Sequence, residues 1–99
     1  MANEMTYGLA WYYKAQWDKI RAISADRSHM DEKFEDWESN AFAMVSKLEA
    51  DGKKVHRVYI DADMLLAWCT RKGIPIDGHA RSLYTNHLMA SHFGRADDI

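Results

Sequence analysis

The stretch IDADMLLAWCTRKGIPIDGHARSLYTNHL, residues 60 to 88, decides the fold because its turn residues divide it into two helices. Asp61 or Asp63 is placed to cap a helix that runs to Lys72. Gly73 then supplies the residue that most easily adopts the left-handed conformation in which helices commonly end. The segment therefore predicts a helical hairpin with a tight glycine turn.

The second helix of this hairpin follows Pro75, a residue that is common just after the end of a helix. Asp77 is placed to cap the second helix, and Gly94 is predicted to end it. The final residues, 95 to 99, are predicted to form a disordered tail. The residues at helical spacing along the inner face are Ala80, Leu83 or Tyr84, His87 or Leu88, and Ser91.

Two segments carry the pattern of short strands. Tyr7, Leu9, Trp11 and Tyr13 alternate with smaller or polar neighbours, and the period becomes helical over about residues 12 to 24. The segment VHRVYID is rich in β-branched and aromatic residues and predicts a strand over residues 55 to 60. An isolated strand leaves its backbone polar groups unpaired. We therefore expect it to pair either with the stretch near Leu9 or with the same strand in a second subunit.

The longest helix is predicted in the middle of the chain. Apolar residues recur there in steps of four and three over about 21 residues, which is a heptad spacing. Ser28 and Asp31 resemble a capping arrangement, and Gly52 supplies a stop. The residues of this seam are Met30, Phe34, Trp37, Ala41, Met44 and Leu48. Packing against the chain's own helices and dimerisation through the seam both remain open.

Together these elements predict a single α+β domain over residues 1 to 99, mainly helical. It has about four helices and two short strands in the order β-α-α-β-α-α. A chain of 99 residues is long enough for one hydrophobic core. The residues predicted to anchor that core are Trp11, Trp17, Phe34, Trp37, Trp68 and Cys69.

Four segments stand out together as anchors of the fold. They are WYYKAQWDKI at 11 to 20, FEDWESNA at 34 to 41, VHRVYIDADMLLAWC at 55 to 69 and GIPIDGHARSLY at 73 to 84. In combination they resemble a group of short, uncharacterised bacterial proteins. That group shares a Trp-Tyr start, an Ala-Trp-Cys segment, and a glycine followed by Asp-x-x-Ala-Arg. The resemblance implies one intact domain and no established activity.

Composition and cysteine content exclude several classes of protein. Hydrophobic residues make up 47% and charged residues 28%, which is typical of globular rather than disordered or fibrous chains. The start MANEMTYGLAWYYK lacks the pattern of a secretory signal, and no apolar run is long enough for a membrane span. The lone cysteine, Cys69, cannot form an internal disulfide. We therefore expect a cytoplasmic protein that does not interact with a membrane.

The net charge of -2 is distributed unevenly. Residues 26 to 38 hold six acidic and two basic residues, whereas residues 53 to 95 hold seven basic and three acidic ones. Acidic side chains at the start of a long helix interact favourably with the helix dipole, which explains the acidic segment without a functional role. The two segments are nevertheless complementary and would attract each other in a homodimer.

The hairpin also suggests one specific function. Residues 62 to 93 resemble a helix-turn-helix, and residues 78 to 95 contain no acid. Arginine and asparagine are the residue types that recognise guanine and adenine in the major groove. The candidate binding surface consists of Arg81, Thr85, Asn86 and His92. The net acidic charge of the chain opposes this hypothesis, because phosphate neutralisation dominates DNA affinity.

No catalytic residue, metal ligand or cofactor is predicted. Cys69 lies in the second half of its helix, where the dipole disfavours a thiolate, and no two histidines are one helical turn apart. We therefore expect a small non-catalytic interaction or regulatory protein that acts as a homodimer on a protein partner. A DNA-binding regulator that uses the helical hairpin is the alternative.

Overall fold

The structure, a computed structural model, describes residues 6 to 97, and their side chains from residue 6 to residue 91. The strands are β1 (Thr6–Trp11) and β2 (Lys54–Tyr59), and the helices are α1 (Lys14–Ile23), α2 (Phe34–Ala50), α3 (Ala62–Lys72) and α4 (Gly78–Asp97). A 3₁₀ turn, Arg27–His29, lies between α1 and α2. The predicted α+β class and the order of the elements are confirmed.

The two strands form a parallel sheet in which Leu9 lies opposite Arg57. The strand predicted over residues 55 to 60 therefore pairs within the chain, with the stretch near Leu9, and needs no second subunit for this. Parallel neighbours require a crossover connection, and α1 and α2 supply it.

Helices pack on both faces of the sheet. On one face, α2 places the rings of Trp37 and Phe42 against Trp11, with centroids 5.2 and 5.4 Å away. On the other face, α4 approaches β1 so closely that a Cβ atom on Gly8 would lie 2.6 Å from Cγ of Met89. α1 contacts both α2 and α3, and α3 contacts α4. The sheet is thereby held between α2 and α4.

The buried core joins the sheet to α1, α3 and α4. Ile20 and Leu65 are completely buried at its centre. All six predicted anchors take part in the packing: Trp11, Trp17, Trp68 and Cys69 are buried, while Phe34 and Trp37 are half-buried. Large aromatic side chains each bury a large area, so a small domain gains much of its stability from such residues.

The residues predicted to cap and end the helices of the hairpin are observed in these roles. Asp61, rather than Asp63, caps α3, because its carboxylate accepts a hydrogen bond from a first-turn backbone N–H at 3.0 Å. Gly73 ends the helix with a φ of 69°, in the left-handed region. Asp77 accepts a hydrogen bond at 2.9 Å from the N–H of Ala80, and so caps α4.

The predicted end of α4 at Gly94 is wrong, since the helix continues to Asp97. A glycine inside a helix costs only about 1 kcal/mol relative to alanine, which is too little to force a stop. Of the predicted tail, residues 95 to 97 are helical, and residues 98 and 99 lie outside the described residues. Tyr84 and Leu88 pack inward on α4, whereas Leu83 and His87 are exposed.

The heptad seam predicted for α2 lies largely on the covered side of the helix, because Phe34, Trp37, Ala41 and Leu48 are all half-buried, and only Met44 departs from it. Met30 lies before the helix, and Ser28 belongs to the 3₁₀ turn, so that Lys33 occupies the N-cap position without a side-chain cap. Val45 is the buried residue of α2, and Met44 is 50% exposed. The helix contacts both β2 and α1, and its 3.6-residue period drifts from a strict heptad, so that Val45 rather than Met44 is covered.

Candidate interaction surface

One edge of β1 is not covered by any strand in the described part of the chain. The N–H of Ile60 donates to the carbonyl of Trp11 at 3.0 Å, so the backbone groups of Trp11 face β2. In a parallel pair, alternate residues direct their backbone polar groups to the same side. The N–H and C=O groups of Gly8 and Ala10 therefore point away from β2, toward the open edge.

The two outer edges of the sheet differ in charge. β1 has the sequence TYGLAW and holds no charged residue, whereas β2 has the sequence KVHRVY and holds Lys54 and Arg57. Charged side chains, lysine in particular, protect edge strands from pairing with another chain. β2 carries this protection and β1 lacks it, so the β1 edge is better suited to accept a further strand.

A groove of about 430 Å³ lies between the open edge of β1 and α4. We call it the α4 groove. Gly8 and Ala10 line it from the strand, and Arg81, Ser82, Thr85 and Asn86 line it from the helix. These side chains are small or polar, so the groove has room for small side chains of an added strand.

A second groove, of about 260 Å³, borders β1 on the opposite face of the sheet. We call it the α2 groove. Its lining is apolar and includes Leu9, Trp11 and Met44. Successive side chains of a β-strand point to opposite faces. A strand added to the β1 edge would therefore direct its alternate side chains toward the apolar α2 groove and the more polar α4 groove.

The predicted nucleic-acid surface is not assembled, because Arg81 and Thr85 face inward. The guanidinium of Arg81 donates two hydrogen bonds to the carboxylate of Asp26, at 2.9 and 2.8 Å, and another at 2.9 Å to Oγ of Ser24. Thr85 is 2% exposed and donates its hydroxyl to the carbonyl of Arg81. Both residues lie next to the buried side of α4. The helical spacing places them on one face, but it does not show whether that face is buried or exposed.

The other two residues of that surface have different positions. Asn86 is exposed and borders the α4 groove. His92 lies outside the residues whose side chains are described. The guanidinium of Arg81 is engaged by Asp26 and Ser24 and is only 13% exposed, whereas a major-groove contact requires a free guanidinium.

Asp26 connects two parts of the chain that the sequence places far apart. Besides pairing with Arg81, it accepts a hydrogen bond at 3.1 Å from the N–H of Gly78, at the start of α4. Hydrogen bonds from the Arg81 side chain lower the pKa of the Asp26 carboxyl, and the charged form is thereby favoured. Lys14 and Glu35 form another ion pair, 2.8 Å apart. Part of the charge complementarity is thus satisfied inside the chain rather than between subunits.

Cys69 is placed for packing rather than for nucleophilic chemistry. It is 1% exposed, and burial raises the pKa of its thiol. A reactive thiolate needs the opposite conditions, a lowered pKa and access to solvent. Burial also raises the pKa of Tyr12 to about 12, so its phenol stays protonated at neutral pH.

Gly8 and Ala10 are not among the residues that the sequence pattern marks as a binding surface. The absence of charge from TYGLAW is a visible signal. It acquires meaning only when the strand is known to lie at a sheet edge, and that depends on which strands pair.

No family model matches the chain, and no curated protein or solved structure matches it. Among the described residues, none of the helices combines the length and apolar character needed to cross a membrane. Within the same residues, no cluster of three or more His, Cys, Asp or Glu side chains is arranged to hold a metal ion. The resemblance to short bacterial proteins therefore stays a prediction, and function has to be proposed from the geometry of this chain.

Proposed function

We propose that this protein is a small, non-catalytic interaction protein that acts as a homodimer, formed by pairing the open β1 edges of two copies. The observation that carries the proposal is the uncharged β1 edge with a groove on each side. Strand addition at such an edge uses main-chain hydrogen bonds for affinity and flanking pockets for selectivity.

A second copy of β1 suits this edge in its side chains. A two-fold axis perpendicular to the sheet makes the strands antiparallel and keeps equivalent faces on the same side. Leu9 of the second copy then lies on the side of the apolar α2 groove, while Gly8 and Ala10 of that copy lie on the side of the α4 groove. Because neither strand holds a charged residue, no like charges oppose the pairing.

Two further observations support a non-catalytic, cytoplasmic protein. Cys69 is the nucleophile candidate of the sequence, and its burial and raised pKa argue against a catalytic thiol. A single reduced cysteine suits the reducing environment of the cytoplasm. A protein partner for the dimer remains part of the proposal, and it is favoured over nucleic acid because Arg81 and Thr85, two of the four residues of the predicted nucleic-acid surface, are engaged within the chain.

Analytical ultracentrifugation tests the dimer directly. The chain has a mass of 11.5 kDa, and we expect the average mass to rise toward twice that value between about 5 and 500 µM protein. Ala10→Pro removes an N–H that points to the open edge, and we expect it to keep the protein monomeric. Val55→Pro is the matched control, because the backbone of Val55 points to the outer edge of β2, and it should dimerise like the wild type.

Hydrogen exchange of the wild-type protein provides a test that does not depend on either variant folding. The amides of Gly8 and Ala10 should exchange more slowly as the protein concentration rises, because the dimer covers them. The amides of Val55 and Arg57 should show no such dependence. A constant mass of 11.5 kDa over the whole concentration range, with exchange at Gly8 and Ala10 independent of concentration, would refute the proposal.

A further inference from the structure

We infer that a third groove, between α3 and α4, binds a small aromatic molecule that carries an anionic group. We call it the α3/α4 groove. It is lined by Trp68, Lys72, Ile74, Leu83, Asn86 and His87 and has a volume of about 470 Å³. Pockets that hold small molecules are typically about 300 to 1,000 Å³ and combine apolar walls with a few polar groups.

The rings of Trp68 and His87, with centroids 5.5 Å apart, form one wall of this groove. The buried ring of Tyr84 packs against Trp68, with a centroid distance of 5.3 Å, and does not line the groove. Trp68 is buried except for 8% of its surface, whereas Leu83 is 40% exposed at the rim. A planar aromatic ligand would contact the open part of this wall and cover Leu83, and so would bury apolar surface on both molecules.

The charge of the groove determines the sign of the ligand. Nζ of Lys72 lies 5.4 Å from the centroid of the Trp68 ring, and this ammonium group has no carboxylate partner among the described side chains. None of the six lining residues is acidic. An anion next to Trp68 would therefore meet a cation and the polar groups of Asn86 and His87, with no opposing charge in the groove.

A small molecule fits these features better than a helix or strand does. The turn between α3 and α4 contributes one residue, Ile74, to the groove, which offers one lysine beside one aromatic wall. A docked helix would instead need a longer apolar stripe that contacts residues one turn apart. The observed arrangement suits a single ring system with one carboxylate.

NMR titration tests the inference with three probes that share one ring system: 2-naphthoate, 2-naphthalenemethanol and 2-naphthylmethylamine. We expect naphthoate to shift the indole N–H of Trp68 and the backbone amides of Leu83 and His87, with saturation in the micromolar to low millimolar range. The neutral alcohol should bind at least three-fold more weakly than naphthoate, and the cationic amine more weakly still.

Matched variants separate the charge from the apolar wall. Lys72→Gln should weaken naphthoate binding by about two- to five-fold and remove the preference over the alcohol. Lys47→Gln is its control, because Lys47 also lies in the last turn of a helix but lines no part of this groove. Leu83→Glu should weaken naphthoate at least ten-fold, whereas Leu66→Glu, at a leucine of similar exposure (42%) outside the groove, should not.

Three outcomes would overturn the inference: shifts that do not saturate, alcohol and amine binding as tightly as naphthoate, or an unchanged preference in Lys72→Gln. The inference does not rest on the dimer. Ala10→Pro at the β1 edge should bind naphthoate like the wild type, and loss of dimerisation with retained binding would distinguish the two proposals.

Discussion

Replacing Gly8 by alanine should destabilise the protein through the contact between β1 and α4. A Cβ atom at this position would lie 2.6 Å from Cγ and 2.9 Å from Sδ of Met89, both within van der Waals overlap. Of the glycines in the described chain, Gly52 and Gly73 have positive φ and Gly8 does not, so its backbone conformation suits alanine. The expected loss therefore comes from the side chain of Met89 alone.

The magnitude is a balance of two effects. Overpacking a core contact costs about 1 to 3 kcal/mol, and the flexible methionine side chain places this contact near about 2 kcal/mol. Replacing glycine by alanine in a compatible conformation gains about 0.5 to 1 kcal/mol from the unfolded state. The free energy of unfolding should therefore fall by about 1 to 1.5 kcal/mol in Gly8→Ala. In a Met89→Ala background the overlap is absent, and Gly8→Ala should there raise the free energy of unfolding by about 0.5 to 1 kcal/mol.

Urea unfolding, monitored by tryptophan fluorescence, measures the stability of the four proteins in this double-mutant cycle: the wild type, Gly8→Ala, Met89→Ala and the double variant. The protein concentration must be low and constant, because the proposed dimerisation would make stability depend on concentration. We expect a coupling energy of about 2 kcal/mol between the two positions, which is the cost of the overlap itself. An equal effect of Gly8→Ala in both backgrounds would show that Met89 is not the obstacle and would refute the reasoning.

Three other experiments test the ion pair, the buried cysteine and the helix cap that involve α3 and α4. Asp26→Asn leaves the Arg81 side chain, which is 13% exposed, without its charged partner and should cost about 1.5 to 3 kcal/mol at neutral pH. Pairing lowers the pKa of Asp26 in the folded protein below its ordinary 3.8. The extra stability of the wild type over this variant should therefore be complete above pH 3.8 and disappear as the pH falls through the pKa of the folded protein. Urea unfolding at several pH values checks this, and a constant difference in stability down to pH 2 would contradict it. Cys69 should react with a disulfide reagent at least about 100-fold faster in urea than in the native state, and rapid native modification would contradict its burial. Asp61→Ala should cost about 1 kcal/mol and Asp63→Ala only a few tenths, and equal losses in urea unfolding would contradict the assigned cap.

The helical hairpin is the part of the fold that the sequence predicts best, because its determinants are local. The cap at Asp61 and the cap at Asp77 each involve a backbone group within three residues, and Gly73 needs only its own φ. Such contacts form between neighbours whatever the rest of the chain does. The strands and the core anchors were also predictable, because alternating residues and large aromatic residues indicate burial even when the elements that pack against them are unknown.

The exposure of Met44, within the predicted seam of α2, could not be predicted in the same way. Apolar periodicity shows that one side of a helix is covered, but the covering surface decides which residues of a broad apolar stripe are buried. In this fold α2 lies on a sheet, and it buries Val45 rather than Met44. A heptad pattern of this length was compatible with both results.

The role of Arg81 depends on a contact across most of the chain. Its partner Asp26 is 55 residues away, in the turn after α1. No local pattern links these two positions, so the arginine had the features of a free surface residue in the sequence. Folding brings the two together and converts a predicted DNA contact into a structural ion pair.

The uncharged edge of β1 is only partly explained by packing within one chain. Gly8 has no room for a side chain because of Met89, and Trp11 is buried against α2. Thr6, however, is exposed, and Leu9 is only half-buried, so a lysine at either position would cost a monomer little. Edge strands usually hold such charges, which prevent pairing with other chains. The proposed dimer would account for their absence at these two positions, because a lysine at either one would oppose pairing with another copy.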